Sequence, residues 1–194
     1  MESISSKYKV LFVCLGNICR SPAAQGIFEH IIRENGMTDR ISADSAGLYG
    51  GHAGQHPDRR MRTAALYRGY GLSHSARQVR GYDFNDFDMI IAMDDQNYED
   101  LMHLAPSVEA THKVRRMADF LTTHKISYIP DPYYMGVEGF SLVLPTCNTN
   151  AKEGYFPMLE CYEEGGYEAG SSNFKAGVAE LIIESGLELL KSLT

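Results

Sequence analysis

Residues 8–24 read YKVLFVCLGNICRSPAA and predict a buried strand, a short loop and a helix. The run YKVLFV at 8–13 is short and largely apolar, which is typical of a parallel strand covered on both faces. Ser21 predicts a helix N-cap, and Pro22 suits the first helical position. Behind them, apolar residues recur at helical spacing on one face: Ala24, Ile27, Phe28, Ile31 and Ile32.

The alternation of strand and helix repeats along the chain. Three further strands are predicted at 41–46, 88–94 and 113–117, and three further helices at 58–70, 96–104 and 179–193. Repeated strand–helix units favour a parallel sheet, because each helical connection returns the chain to the same end of the sheet. The predicted fold class is therefore α/β, with a four-stranded parallel sheet and helices on both faces.

One segment interrupts this alternation before the last helix. Residues 141–173 show no periodicity and contain five Glu and one Lys, so the segment is acidic. Long loops without secondary structure are uncommon in compact domains, yet this one carries several aromatic residues, more than a plain linker would. We therefore expect a single domain over 1–194, with a partly ordered insertion at about 141–173.

The composition excludes several classes of protein. Of the 194 residues, 44% are apolar and 22% are charged, as in ordinary globular proteins. A net charge of −7 without a Lys/Arg-rich cluster argues against nucleic acid or an anionic membrane as the partner. No apolar run approaches the roughly 18 residues of a membrane-spanning helix.

The cysteines indicate a reducing compartment. The first ten residues lack the apolar core of a secretion signal, so we expect a cytoplasmic protein with reduced thiols. Cys147 and Cys161 lie 14 residues apart in the insertion without a nearby histidine, and we expect free thiols there rather than zinc ligands.

The loop at 14–21, with the sequence CLGNICRS, is the most informative segment for chemistry. Where a buried strand passes through a loop into a helix, backbone N–H groups and the helix dipole converge on an anion. Gly16 and Asn17 are residue types that tolerate the positive φ angles needed by such an anion cradle. The loop is therefore predicted to bind phosphate.

Three side chains of this loop suit phosphoryl transfer. Cys14 lies at the floor of the cradle, where the N–H groups and Arg20 favour its nucleophilic thiolate form. Arg20 can close the loop and bind two phosphate oxygens in a bidentate manner. Ser21 can donate a hydrogen bond to the sulfur when it leaves. The pattern therefore predicts a nucleophilic cysteine beneath a phosphate.

A general acid is needed to protonate the leaving oxygen, and Asp131 is the candidate. It lies in the sequence IPDPYY, where Pro130 and Pro132 stiffen the loop and present the carboxylate at a fixed angle. Alone, this pattern is more typical of a solvated Asp in a turn. Together with the cysteine loop, it favours the general acid.

CLGNICRS at 14–21 and DPYY at 131–134 together resemble the low molecular weight protein tyrosine phosphatase family, over about 7–140 and again in the last helix. The resemblance implies a four-stranded parallel sheet, phosphotyrosine-containing protein substrates, and a phosphocysteine intermediate with neither metal nor cofactor. It implies that Cys14 is the nucleophile, Arg20 the phosphate clamp and Asp131 the general acid that then activates water.

The resemblance also implies supporting roles. Phosphate binding and support of the loop fall to Leu15, Gly16, Asn17, Ile18, Cys19, Ser21, Ser45 and His74. Tyr133 and Tyr134 match aromatic residues that line the substrate pocket, and Tyr49 is the candidate for a second wall. Asp94 matches a position near the loop, and a cap of the next helix is an equal alternative. Cys19 matches a cysteine that forms a reversible disulfide with Cys14, and an inert buried thiol is the alternative.

Three other functions fit parts of the pattern. Arsenate reduction on the same fold needs two further cysteines after the third strand, and 85–130 contains none. Phosphoarginine phosphatases among the relatives carry Thr in place of Ile18, whose apolar side chain suits an aryl ring instead. A non-enzymatic binding module would not need nucleophile, clamp and acid together. The sequence therefore favours phosphotyrosine hydrolysis.

Overall fold

A parallel sheet of four strands forms the centre of the fold. The computed structural model describes residues 6–66, 68–134 and 178–194. The strands are β1 (Tyr8–Cys14), β2 (Ile41–Gly47), β3 (Met89–Ala92) and β4 (Val114–Arg116), in the spatial order β2-β1-β3-β4. Every neighbouring pair is parallel, which confirms the predicted sheet.

Helices connect the strands. The described α-helices are α1 (Arg20–Glu34), α2 (Arg59–Leu66), α3 (Asp83–Asp86), α4 (Asp95–Leu104), α5 (Val108–Thr111) and α6 (Val178–Ser192). Short 3₁₀ turns lie at Gly50–His52, Met117–Phe120 and Pro132–Tyr134.

Alternate residues of β1 pack into two cores on opposite faces of the sheet. Val10 and Phe12 belong to a core that includes residues of α1, α2 and α6. Leu11 and Val13 belong to a second core, with residues of α3, α4 and α5. All four side chains are fully buried, as expected for a central parallel strand. The prediction of helices on both faces is therefore confirmed.

The carboxyl ends of three strands meet at one edge of the sheet. Cys14 at the end of β1 pairs with Gly47 at the end of β2, and Val13 pairs with Ala92 at the end of β3. The segments that follow these strands therefore start side by side. In open parallel sheets, ligands bind at this edge.

Helix α1 begins earlier than the sequence predicts. Its first residue is Arg20 and its N-cap position is Cys19, so the assignment of Ser21 as N-cap and Pro22 as first helical residue is wrong. The Ser21 hydroxyl instead contacts the Cys14 sulfur and the Asn17 amide, because the loop folds back over the start of the helix. The predicted apolar face is buried as expected.

Helix α2 is shorter than the predicted helix at 58–70. It ends at Leu66, and the N–H groups of Arg68 and Gly69 bond to the carbonyls three residues earlier, which tightens the chain into a turn. Gly69 has a φ of +80°, a left-handed conformation that commonly ends helices.

The predicted insertion at 141–173, with Cys147 and Cys161, lies outside the described residues. Within the part of the chain that the structure covers, no helix has the length and apolar character needed to cross a membrane.

Glu184 of α6 holds the segment that leads from β4 towards residue 131. Its Oε1 accepts hydrogen bonds from the backbone N–H groups of Thr122 (2.8 Å) and Thr123 (2.5 Å), and its Oε2 pairs with His124 Nδ1. Burial alone would raise the pKa of Glu184, but these donors lower the pKa to about 2. These hydrogen bonds attach α6 to the segment at 122–124.

Glu184→Gln is expected to lower the free energy of unfolding by about 2 kcal/mol at pH 7, because the amide cannot replace a charged acceptor of three donors. The folded-state pKa lies below the usual value, so this stabilisation is present above about pH 4.5 and is lost as the pH falls towards 2. Urea unfolding at several pH values measures the difference. Glu188→Gln, which removes an exposed pair with Lys191, is the control. A difference that does not depend on pH would contradict the assignment.

Candidate active site

A pocket of about 210 Å³ opens at the carboxyl edge of the sheet. It brings together residues of three separate segments: Cys14, Leu15, Gly16, Ile18, Cys19, Arg20, Tyr49, His52, Asp131 and Tyr133. A larger, more open cavity of about 690 Å³ lies elsewhere, beside the first residues of β1 and β3, and contains none of the predicted site residues.

Cys14 lies at the floor of the pocket. It is the last residue of β1 and is only 3% exposed. Its Sγ lies 3.1 Å from the hydroxyl of Ser21, which also lies 3.2 Å from the Ala46 carbonyl. The single proton of that hydroxyl can be donated either to the Ala46 carbonyl or to the sulfur, so the predicted hydrogen bond to a leaving thiolate requires the proton to turn away from Ala46.

Asn17 adopts the strained conformation of the loop. Its φ is +55°, and it is the one non-glycine residue with positive φ in the described chain. Its side-chain Nδ2 donates to the hydroxyls of Ser21 (2.9 Å) and Ser45 (3.0 Å). Its Oδ1 accepts from His74 Nε2 (2.7 Å) and from the backbone N–H of Arg77 (2.9 Å). Both amide ends are fully used, which holds the left-handed backbone in place.

These contacts place Ser45 and His74 beside Asn17, so both residues lie against the loop that the resemblance says they support. Because the Asn17 oxygen can only accept, the His74 ring must carry its proton on Nε2. Burial lowers the pKa of His74, so the ring is neutral near pH 7. Arg77, by contrast, was not among the predicted site residues.

Of the two loop residues that tolerate a positive φ, Asn17 adopts one and Gly16 does not. A Cβ at Gly16 would lie 3.2 Å from the ring of His52, so that ring would have to shift by a few tenths of an ångström to accept a side chain. At Gly47 there is no room for a side chain. A Cβ there would lie 2.9 Å from backbone atoms of Leu15, Gly16 and Asn17, so the loop rests directly on the end of β2.

Arg20 links the loop to two carboxylates. The residue is 2% exposed, and its Nη1 bonds to Asp94 (2.5 Å) and to the Ile129 carbonyl (3.1 Å). Its Nη2 bonds to Asp131 at 2.7 Å. Burial opposes the charge, but the Cys14 sulfur and the two carboxylates raise the pKa of the guanidinium. Its buried Nε has no hydrogen-bond partner among the described residues, and such a donor can serve an anion in the pocket.

Asp94 fulfils both roles that the sequence left open. Its Oδ2 binds Arg20, and its Oδ1 accepts from the Asn97 N–H at 2.7 Å as the N-cap of α4. Asp131 is similarly held by two groups, since its Oδ1 accepts from the Tyr133 N–H at 3.0 Å while its Oδ2 binds Arg20.

Aromatic side chains form the rim. Tyr49 is 58% exposed and Tyr133 is 41% exposed. The Tyr49 ring occupies the space that a Cβ on Gly51 would enter, and it packs edge-on against His52 with 5.8 Å between ring centroids. Arg60 lies over the Tyr133 ring, 5.6 Å from its centroid. The side chain of Tyr134 lies outside the described atoms.

Cys19 is buried in the pocket wall. Both Cys14 and Cys19 are free thiols in this structure. Burial, followed by the nearby carboxylate of Asp58, raises the pKa of the Cys19 thiol well above its usual range. Cys19 is therefore a neutral thiol at physiological pH, the form in which a cysteine is a poor nucleophile.

Comparison with known proteins identifies the family. The family model described as low molecular weight phosphotyrosine protein phosphatase matches residues 9–155. The chain belongs to this family. Solved phosphatase structures share this fold. A protein tyrosine phosphatase from Entamoeba histolytica superimposes with a TM-score of 0.76 and 34% identity, over 96% of this chain and 97% of that one.

Two curated phosphatases illustrate the sequence similarity. A putative low molecular weight protein-tyrosine-phosphatase of Synechocystis is 44% identical over 136 residues, which cover 70% of this chain and 87% of that protein. The low molecular weight phosphotyrosine protein phosphatase of Homo sapiens is 36% identical over 138 residues, 71% of this chain and 87% of the relative. A Drosophila arginine phosphatase structure also matches, with a TM-score of 0.71 and 26% identity over 96% and 98% of the two chains.

Proposed function

We propose that this phosphatase hydrolyses phosphotyrosine in proteins through a phosphocysteine intermediate on Cys14. The observation that carries the proposal is the convergence of Cys14, Arg20 and Asp131 on one pocket of about 210 Å³. A nucleophile, a cation with an unused buried donor and a carboxyl group are the three parts that cleavage of a phosphate monoester requires.

In the first step, the Cys14 thiolate attacks phosphorus while the bond to the phenolic oxygen breaks. The leaving oxygen takes the electron pair of that bond and a proton from the Asp131 carboxyl group, so tyrosine departs neutral. Arg20 and the loop N–H groups bind the negative phosphoryl oxygens, helped by the N-terminus of α1. The sulfur–phosphorus bond has then replaced the oxygen–phosphorus bond.

In the second step, the Asp131 carboxylate takes a proton from water as the water oxygen attacks phosphorus. The sulfur leaves with its electron pair as a thiolate, stabilised by the Ser21 hydroxyl 3.1 Å away, and inorganic phosphate is released. The steps balance without an oxidant, a metal or a cofactor. A chelator should therefore leave the rate unchanged.

The rim supports an aromatic substrate. Tyr49 and Tyr133 line the opening, so we assign their rings to the two walls around the phenol. The role of Tyr134 stays a prediction from the resemblance. Ile18 lines the same pocket with an apolar side chain. His52 joins this wall, because its ring contacts Tyr49 and lies against Gly16.

Phosphoarginine hydrolysis is the second candidate function. The structural match with a Drosophila arginine phosphatase is the observation that favours it. At position 18 a hydroxyl would suit a guanidinium substrate, whereas this chain has isoleucine. Arsenate reduction is less well supported, because 85–130 contains no cysteine that could relay a disulfide.

A panel of substrates tests the proposal. Phosphotyrosine, phosphoserine and phosphoarginine peptides are offered to the enzyme at equal concentration, and phosphate release is measured with and without EDTA. Arsenate with thioredoxin is the redox arm. Turnover of phosphotyrosine alone, unaffected by EDTA, is expected. Preferential turnover of phosphoarginine or reduction of arsenate would replace the proposal with the corresponding alternative.

We further infer that 1–194 forms one domain. We also infer that the enzyme works in a reducing compartment such as the cytoplasm. Both thiols in the pocket are free, and the proposed chemistry requires Cys14 to stay reduced. A disulfide between Cys14 and Cys19 would stop the first step.

A further inference from the structure

We propose that Asp44, Arg77 and Asp83 form a positioning set that holds the phosphate-binding loop in its active shape from outside the pocket. None of the three lines the active-site pocket. The inference rests on the proposed function, because it assigns to these residues an effect on phosphate binding and turnover.

The set acts through the segment at 71–80, which has no helix and, apart from an isolated bridge at Gln78, no strand pairing. This irregular segment supplies both donors to the Asn17 oxygen, namely the His74 ring and the backbone N–H of Arg77. Among the described residues, backbone hydrogen bonds from distant parts of the chain hold the segment only at Ala76, Arg77 and Val79, so side chains contribute to its position.

Arg77 is the side chain that anchors the segment. Its Nε and Nη2 donate to Asp44 Oδ2 at 3.0 and 2.8 Å, and its Nη1 donates to both Asp83 oxygens at 3.1 Å. Asp44 belongs to β2 and Asp83 to α3. The guanidinium therefore ties the irregular segment to a strand on one side and a helix on the other.

Two routes connect this anchor to the loop. The first is the Arg77 N–H, which bonds to Asn17, the residue with strained φ. The second passes through Gly47, whose N–H donates to the Arg77 carbonyl at 2.9 Å and whose carbonyl accepts from Val79 at 2.8 Å. Gly47 is also the residue on which the loop backbone rests. A shift of Arg77 would therefore reach the loop at two points.

Asp83, one of the two carboxylates that bind Arg77, is buried. Asp83 is 2% exposed, and a buried carboxylate is unfavourable unless it is paired. Its Oδ2 also accepts from the Arg80 N–H at 2.8 Å, so Asp83 contacts the segment at a second place. Arg77 further lies 5.9 Å from the centroid of the Phe87 ring. Asp83 is therefore a buried carboxylate whose charge is paired by Arg77, unlike an ion pair in solvent.

Asp83→Asn tests the proposal. We expect kcat/KM for aryl phosphates to fall about tenfold, because small displacements of catalytic groups have effects of this size or larger. Binding of inorganic phosphate, measured by calorimetry, should weaken by a similar factor. The loss should be equal for good and poor leaving groups, since the loop binds the phosphoryl oxygens and not the leaving group. Asp86→Asn, an exposed carboxylate on the same helix, is the matched control.

A second comparison separates positioning from stability. If Asp83 acts through Arg77, the double variant R77A/D83N should bind phosphate no more weakly than R77A. Asp44→Asn repeats the test if Asp83→Asn does not fold. A variant that melts at lower temperature but keeps wild-type phosphate affinity and kcat would overturn the proposal, as would additive losses in the double variant. If the wild type does not hydrolyse phosphotyrosine, the proposed function fails, yet phosphate calorimetry still decides the positioning role.

Discussion

Cys14→Ser is expected to reduce hydrolysis of p-nitrophenyl phosphate by at least about 10⁴-fold, because a serine hydroxyl in this loop is not ionised and cannot attack phosphorus as a thiolate does. The fold and the phosphate site should persist, since the loop N–H groups and Arg20 remain. Steady-state kinetics give the loss in rate. Mass spectrometry of acid-quenched wild type should show a phosphate adduct on residue 14.

Cys147→Ser is the matched control, because it makes the same exchange at a cysteine that the sequence predicts to be a free thiol in the insertion. It should keep nearly the wild-type rate. Normal turnover by Cys14→Ser, or a quenched enzyme in which the adduct never forms on residue 14, would remove Cys14 from the mechanism.

Asp131→Asn is expected to slow phenyl phosphate and phosphotyrosine by about 10² to 10³-fold, the range typical of a lost general acid. Esters with good leaving groups, such as 2,4-dinitrophenyl phosphate, should be affected far less, because their phenolates leave without protonation. A series of aryl phosphates with increasing leaving-group pKa measures this difference as a steeper slope in the variant.

The control for this series is Asp39→Asn, which changes an exposed carboxylate just before β2, at the end of that strand away from the loop. Its slope should equal that of the wild type. If Asp131→Asn lowered all rates by the same factor, the carboxylate would be a structural partner of Arg20, with which it pairs at 2.7 Å, and another group would supply the proton.

The parts of the fold that could be predicted are those with a local signal. The apolar run of β1, the helical spacing in α1 and the alternation of strands and helices follow from periodicity, which depends on near neighbours in sequence. Cys14, Arg20 and Asp131 could be selected because their residue types match one reaction. Ser45 and His74 followed only from the resemblance, because nothing within a few residues of either points to Asn17.

The parts that could not be predicted depend on tertiary contacts. Ser21 is a good N-cap residue, but its hydroxyl is used by Cys14 and Asn17, so the helix begins at Arg20. Gly47 is required because another segment presses on it, and no neighbouring residue reveals that pressure. Arg77 contributes a backbone N–H, a group that every residue except proline possesses and that leaves no mark in the sequence.

The ring of Tyr49 has a consequence for how such pockets diversify. Because the far end of the ring fills the volume beside the backbone of residue 51, a side chain at 51 would force the ring to move. Substitution histories at 49 and 51 should therefore covary among descendants of a common ancestor, and exchange at one site alone should be rare.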